Sequence, residues 1–409
     1  MSRPVIIDSS ARDLEVRGQE TVLRASQGFQ GSALIVVRGA RRIRFRDFAI
    51  DGNREALAES KGLPPYDRTF ADHFAANGIL AQGVEGLDVC GIRFRNIAGF
   101  AVLVSGSAGV RIDSISVADS GSRGPKGRNN TTGGVLVEDG STKFQIVDSV
   151  FRNILGNAVW THSRYQAPRN ADGLIRGNRF EEIGRDAVQV GHAVRVRVEF
   201  NAGHRIGYPP DAVDVEGGGT PVAIDTAGNV EASAYYANRF EEINGKCIDL
   251  DGFHSGEVSA NACINRGSAR DYPFGHYAIV MNNTNPDMQS ERIRIAANEI
   301  DGAKFGGIFV IGWGHRIEGN QMRRLNLAGC NENAAEFGCS HFPGEPDLLQ
   351  AGIYLGRRAE RAAVTRSNRI ENNLISGHKM DKRCILGAPG VKLEENTMQQ
   401  NRCVAEERR

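Results

Sequence analysis

The segment Lys246–Glu257, KCIDLDGFHSGE, carries two aspartates on alternate residues of an apolar run, followed by a histidine and a glutamate. A third aspartate, Asp225, holds the equivalent place in AIDTAG. If each run is a strand whose Ile and Leu face a core, then Asp225, Asp249 and Asp251 all face away from it. Grouped carboxylates are the equipment for cleaving or transferring a glycosidic bond. One, protonated, gives its proton to the leaving oxygen, and the other acts ionised. Side chains on neighbouring rungs of a sheet lie about 5 Å apart. Like charges that close drive one pKa up while the other stays low. Asp225 and Asp249 are the expected catalytic pair, with Asp251 as the alternate. A separation of about 5 Å favours retention or intramolecular transfer, and about 6.5–9.5 Å favours inversion. His162, His192 and His254 are expected to position hydroxyls or to tune the acid.

Something must bring residues so far apart in the chain onto one face, and a repeat does so. A small residue, an apolar one, any residue and a second apolar one recur in AVLVSG, GVLVED, AVWTHS, AVQVGH, AIDTAG, CIDLDG, AIVMNN, GIFVIG and GIYLG. In the later copies an asparagine-bearing element follows, at Asn178, Asn201, Asn238, Asn261, Asn298, Asn320, Asn373 and Asn396, with spacings of 23, 37, 23, 37, 22, 53 and 23 residues. The unit is therefore 22–24 residues with loops inserted in some copies. Period-two alternation makes its segments strands, and no helical periodicity separates them. A leucine-rich repeat is excluded, because Ile, Val and Phe fill the apolar positions and the insertions vary too much in length. The remaining solution is a chain that coils, each turn stacking on the last at about 4.8 Å, with a ladder of asparagine amides at one corner.

The G-I-x-V strands, asparagine turns and 23-residue coils resemble the right-handed parallel β-helix repeat of the pectate-lyase-like superfamily over roughly residues 30–400. The resemblance implies an all-β fold, a single right-handed parallel β-helix of about 11–13 coils with loop insertions. Residues 1–409 form one domain in this reading: 1–30 an N-terminal capping coil, 31–383 the central coils and 384–409 a C-terminal capping coil. Fold alone does not imply activity, because this fold hosts lyases, hydrolases, epimerases, transferases and tailspikes.

Aligning the strands gives two outward columns. One reads Leu103, Leu136, Trp160, Gln189, Asp225, Asp249, Val280, Phe309, Tyr354, and the other Ser105, Glu138, His162, Gly191, Ala227, Asp251, Asn282, Ile311, Gly356. Polar residues occupy the middle rungs. Glu138, Trp160, His162, Gln189, His192, His254, Asn282, Phe309 and Tyr354 are the expected substrate contacts, the aromatic faces suiting sugar rings. Insertions at 163–172, 204–220, 267–276 and 325–350 are expected to wall this face, and they carry Tyr165, Tyr208, Tyr272, Phe274 and His341. Glu216, in a short loop strand of DAVDVEGGG, is an outside choice for the acid, and His315 is read as a turn residue.

The superfamily's galacturonan hydrolases carry N-T-D, D-D, G-H-G and R-I-K motifs. This chain has only RDAVQVGHA at 185–193, so the resemblance does not extend to that activity. The runner-up is a polysaccharide lyase or epimerase in which Asp225, Asp249 and Asp251 hold Ca²⁺. That chemistry needs a strong base, and neither column has Lys or Arg in its middle rungs; Arg164 or Arg195 would have to reach in. For the glycosidase reading no metal or other cofactor is expected. A third reading is a non-catalytic carbohydrate-binding or adhesin-like solenoid, a type often built as a homotrimer.

Fifty basic residues against 49 acidic ones, net +1, give no basic stripe for nucleic acid. No apolar run reaches the ~18 residues of a membrane helix. The first residues, MSRPVIIDSSARDLEVRG, do not read as a signal peptide. Two cysteine pairs, Cys330/Cys339 and Cys384/Cys403, suit disulfides and with them an extracellular or periplasmic location, the alternative being buried free thiols.

Overall fold

A computed structural model describes residues 1–330, 334–339 and 344–406; His341 lies outside them. The chain divides into two compact units, Met1–Pro221 and Val222–Arg409. Each is a stack of coils in which three short strands alternate with turns, and every ladder within each unit is parallel. The fold is all-β, a right-handed parallel β-helix.

In the first unit seven strands make the first sheet, from Val5–Ile7 to Val188–Gly191. In the second unit six do, from Val222–Ala227 through Lys246–Asp251 and Ile279–Asn282 to Ile385–Gly387. Inward residues such as Val102, Val104, Ile248 and Leu250 are fully buried. Alternation thus delivers the expected register: Leu103 pairs Leu136, Leu136 pairs Trp160 and Trp160 pairs Gln189 in the first unit. In the second, Asp249 pairs Val280, Val280 pairs Phe309 and Phe309 pairs Tyr354. The first coil is built from Val5–Ile7, Glu15–Arg17 and Val22–Arg24, and the last from Ile385–Gly387, Thr397–Gln399 and Arg402–Ala405.

The asparagine ladder is real, and its last rungs differ from the sequence reading. In the second unit the Nδ2 of each residue donates to the Oδ1 of the next through Asn238, Asn261, Asn298, Asn320, Asn373 and Asn401, at 2.9–3.0 Å. Asn396 belongs to a second column, where it accepts from Asn368, whose own Oδ1 accepts from the backbone of His315. Each amide also satisfies turn carbonyls and amides that no strand reaches. Asn298 accepts from the amide of Asn261 at 3.0 Å and donates to the Val258 carbonyl at 3.0 Å. Asn298→Ala, which strands those buried groups, is expected to lower the stability of this unit by about 3 kcal/mol. Asn401→Ala, at the half-buried end of the same column, is expected to cost clearly less. Chemical denaturation of both variants checks the difference.

Both expected disulfides are present, Cys330–Cys339 and Cys384–Cys403. A third, Cys247–Cys263, ties the strand carrying Asp249 to the third-sheet strand Ala262–Ile264. The loop strand expected around Glu216 is instead a 3₁₀ turn, Pro210–Ala212, and one helical turn, Val215–Gly218.

Candidate active site

The outward columns are not equally open, and the reason is cover supplied by remote segments. In the first unit the chain between Asn53 and Ala76 folds back over the first sheet. Its helical turn Phe70–His73 sets Phe70 edge-on to Trp160 (4.7 Å between ring centroids) and to His162 (5.1 Å). Trp160, Leu136, Leu103, Phe70 and Phe74 share one apolar cluster. Glu138 is wholly buried beneath the turn and accepts from the amides of Phe70 (2.9 Å) and Ala71 (3.1 Å). Burial pushes its carboxyl up to about 7, against the pull of those amides. Glu138 and Trp160, expected to touch substrate, are therefore an anchor and a packing residue. Glu138→Ala removes the acceptor of two backbone amides. It is expected to lower the stability of this unit by about 2–3 kcal/mol and to speed tryptic cleavage at Lys61 and Arg68, read by limited proteolysis.

The rest of this set is also engaged. His162 lies against Trp160, and burial pulls its pKa down to about 4. His192 packs on Tyr165, with ring centroids 4.9 Å apart. Gln189 is buried and accepts from Asn157 at 2.7 Å. Arg164 pairs with Asp139 and Arg195 with Asp172, each at 2.7 Å. Glu216 is an exposed partner of Lys126, whose hydrogen bond holds its carboxyl below the ordinary value.

In the second unit Phe309 and Tyr354 stack at 6.1 Å but are 8% and 1% exposed. Glu345 accepts from the Tyr354 hydroxyl at 3.0 Å, and Leu348 from Tyr277 at 2.7 Å. The segment around 345–350 thus covers these rings, which are not open sugar platforms. His254 lies beyond Gly252, whose φ of +75° turns the chain off the first sheet. It pairs with Glu231, and its ring contacts Asn229 Oδ1 at 2.9 Å.

What stays together on the first sheet is the aspartate group. Ile224 pairs Ile248, which puts Asp225 beside Asp249, and Asp251 pairs Asn282. Asp225 and Asp251 are half-buried, whereas Asp249 is 5% exposed. The surprise is Lys246. Alternation alone aims it with Ile248 toward the core. At the strand's first position its ammonium instead bonds Asp249 Oδ2. Burial works against its charge, but Asp249, then Asp225 and Asp251, hold its pKa above the ordinary lysine value. Asp249 Oδ1 is buried with no hydrogen-bond partner among the described residues. Burial, and after it the charge on Asp249, raises the Asp251 carboxyl, although the Thr284 amide donates to it at 2.8 Å and Lys246 opposes the rise.

The arrangement puts one carboxylate salt-linked, one carboxyl of raised pKa and a third acid in register on one face. It provides the asymmetry that acid/base work on a glycosidic bond requires. The same three aspartates would supply oxygen to Ca²⁺, but Lys246 already sits among them as their counter-charge. A resident divalent cation does not fit that donor set. Lys246 was legible in KCIDLD only as the residue three before Asp249; strand alternation hides it.

No family sequence profile and no curated protein matches the chain. Among solved structures it is similar to the periplasmic alginate epimerase AlgG, with a TM-score of 0.52 and 11% identity, over 91% of this chain and 77% of that one. The DFA-IIIase of Arthrobacter chlorophenolicus A6 without its lid gives 0.49 and 14%, over 70% and 67%. The Family 28 exopolygalacturonase of Yersinia enterocolitica gives 0.44 and 11%, over 98% and 70%. At 11% identity the likeness to the epimerase is one of fold, and it agrees with the coil stacks and parallel ladders described above. The chain is a right-handed parallel β-helix protein, the fold it shares with the epimerase structure.

Proposed function

We propose that this protein is a carbohydrate-active enzyme that cleaves or transfers a glycosidic bond at the aspartate group of its second unit. The observation that carries the reading is Asp249, almost wholly buried, with one oxygen salt-linked to Lys246 and the other without a partner among the described residues. A desolvated carboxylate oxygen with nothing to accept is costly to a fold, and a substrate hydroxyl or attacking water would satisfy it. In this reading Asp251, of raised pKa, is the proton donor and Asp249 the ionised partner. Asp225, on the adjacent rung, is the alternate for either role, and Asn282 orients a hydroxyl. The three disulfides favour an extracellular or periplasmic site of action.

Lys246 also bears on elimination and epimerisation, since it is the basic residue such chemistry needs. Asp249 foremost, with Asp225 beside it, holds it protonated, so it serves as a fixed positive charge rather than as a base. Product analysis on neutral and acidic polysaccharides, with wild type and Asp249→Asn side by side, separates the readings. New saccharides without an ultraviolet-absorbing product, absent with the variant, are the expected result. An unsaturated, ultraviolet-absorbing product would assign the site to a lyase. A folded protein that turns over no member of the panel would favour a binding solenoid.

A further inference from the structure

Away from the aspartate group, on the third-sheet side of the second unit, a cavity of about 920 Å³ opens. It is lined by Asp301, Arg323–Leu325 and Gly377, at the ends of three third-sheet strands, and by the Arg266–Ala269 loop, Leu327 and His378. Two carboxylates reach it, and both are consumed internally. Asp301 accepts from Arg324 at 2.6 Å, and Glu406 accepts from the Arg324 amide at 3.1 Å and from Ser376. Arg324 is likewise spent on Asp301 and the Asn265 carbonyl. The other two guanidiniums are in a different state. Arg323 is exposed and donates only to Gln321, at 3.1 Å, with no carboxylate partner among the described residues. The Arg266 side chain is 62% exposed and comes no closer than 3.7 Å to Glu241.

The cavity therefore presents one guanidinium without a carboxylate partner among the described residues, Arg323, and one held only loosely, Arg266 at 3.7 Å from Glu241, beside an Asp301 already paired with Arg324 and a Glu406 already hydrogen-bonded. Such forks match carboxylates bidentately. Among the described residues none of those lining it is Phe, Tyr or Trp, so an uncharged sugar finds no stacking face among them. The volume is ample for a short chain of sugar units.

We infer that this cavity is a second, non-catalytic binding site for an acidic oligosaccharide, one whose sugar carboxylates are held by Arg266 and Arg323. The inference rests on the carbohydrate reading for its ligand class, but not on catalysis. Calorimetric titration of the full chain with a short oligouronate, with its methyl ester and with inorganic phosphate tests it. Binding is expected for the oligouronate and not for the ester, weakening with added salt. Arg266→Ala and Arg323→Ala are each expected to weaken it about tenfold, while Asp249→Asn leaves it unchanged. Equal binding of the ester, phosphate binding as tight as the oligouronate, or indifference to both arginine variants would overturn the site. Turnover assays on the same variants keep the two ideas apart. Loss of cavity binding with turnover intact would fault only this site, and cavity binding without turnover would fault only the catalytic reading.

Discussion

Asp249→Asn is expected to lower turnover of a responding glycan by about 10²–10⁴-fold, the range of a lost acid/base group. It will also strand the Lys246 ammonium, since breaking a buried ion pair from one side costs about 3–5 kcal/mol. Lost activity in the single variant would thus be open to the objection that the site has merely loosened. The double variant Asp249→Asn/Lys246→Met answers it. With both charges gone no buried ion lacks its partner, so much of the stability should return, while turnover should not. Lys246→Met alone should keep measurable turnover but change its pH dependence. Lys246 opposes the rise in the Asp251 pKa. Without it that carboxyl stays protonated to higher pH, and the basic limb of the rate profile moves upward. A double variant that regains turnover along with stability would remove Asp249 from the chemistry. An unmoved basic limb would remove Asp251 as the proton donor.

How far the sequence speaks follows from what each feature depends on. The coil, its register and the outward direction of Asp225, Asp249 and Asp251 depend on a period of two within one strand, which the residues themselves display. The cover over Trp160 and Glu138 comes from Phe70 and Ala71, some seventy to ninety residues earlier, in a segment that belongs to no repeat. Nothing in AVWTHS or GVLVED marks those faces as covered rather than open. Phe309 and Tyr354 are hidden for the same reason, by Glu345 and its neighbours. Lys246 escaped because alternation describes strand interiors and not their first residues. Asn396 was placed in the wrong column because spacing alone cannot separate two ladders at neighbouring corners. Asn368 and Asn373 both lie within reach of the next coil.

That second ladder leads to the other large effect, the share of the acid sensitivity that His315 carries beside the other buried histidines, His162 and His276. His315 is fully buried, and its two ring nitrogens do what a ladder amide does. Nδ1 accepts from the Ile293 amide at 3.2 Å, and Nε2 donates to the Ile311 carbonyl at 2.9 Å. Only the neutral ring protonated on Nε2 satisfies both. A second proton on Nδ1 would confront the Ile293 N–H. Burial drags the pKa down to about 4, the Ile311 bond only partly resisting. In the unfolded chain this histidine takes up a proton near pH 6.5, and in the fold it does not until about 4. Unfolding between those values therefore binds a proton. The stability this residue contributes is complete above pH 6.5 and drains away as pH falls toward 4. The loss amounts to about 3 kcal/mol, a large part of a domain's ~5–15 kcal/mol. His315→Asn supplies an amide of the type that already fills the next rung, Asn368, and cannot titrate. It is expected to flatten the fall in stability between pH 6.5 and 4.5 by about 2–3 kcal/mol, measured as denaturant midpoints across that range. If the variant's stability falls with pH as steeply as the wild type's, the acid sensitivity lies elsewhere, and the neutral ring is not what the column requires.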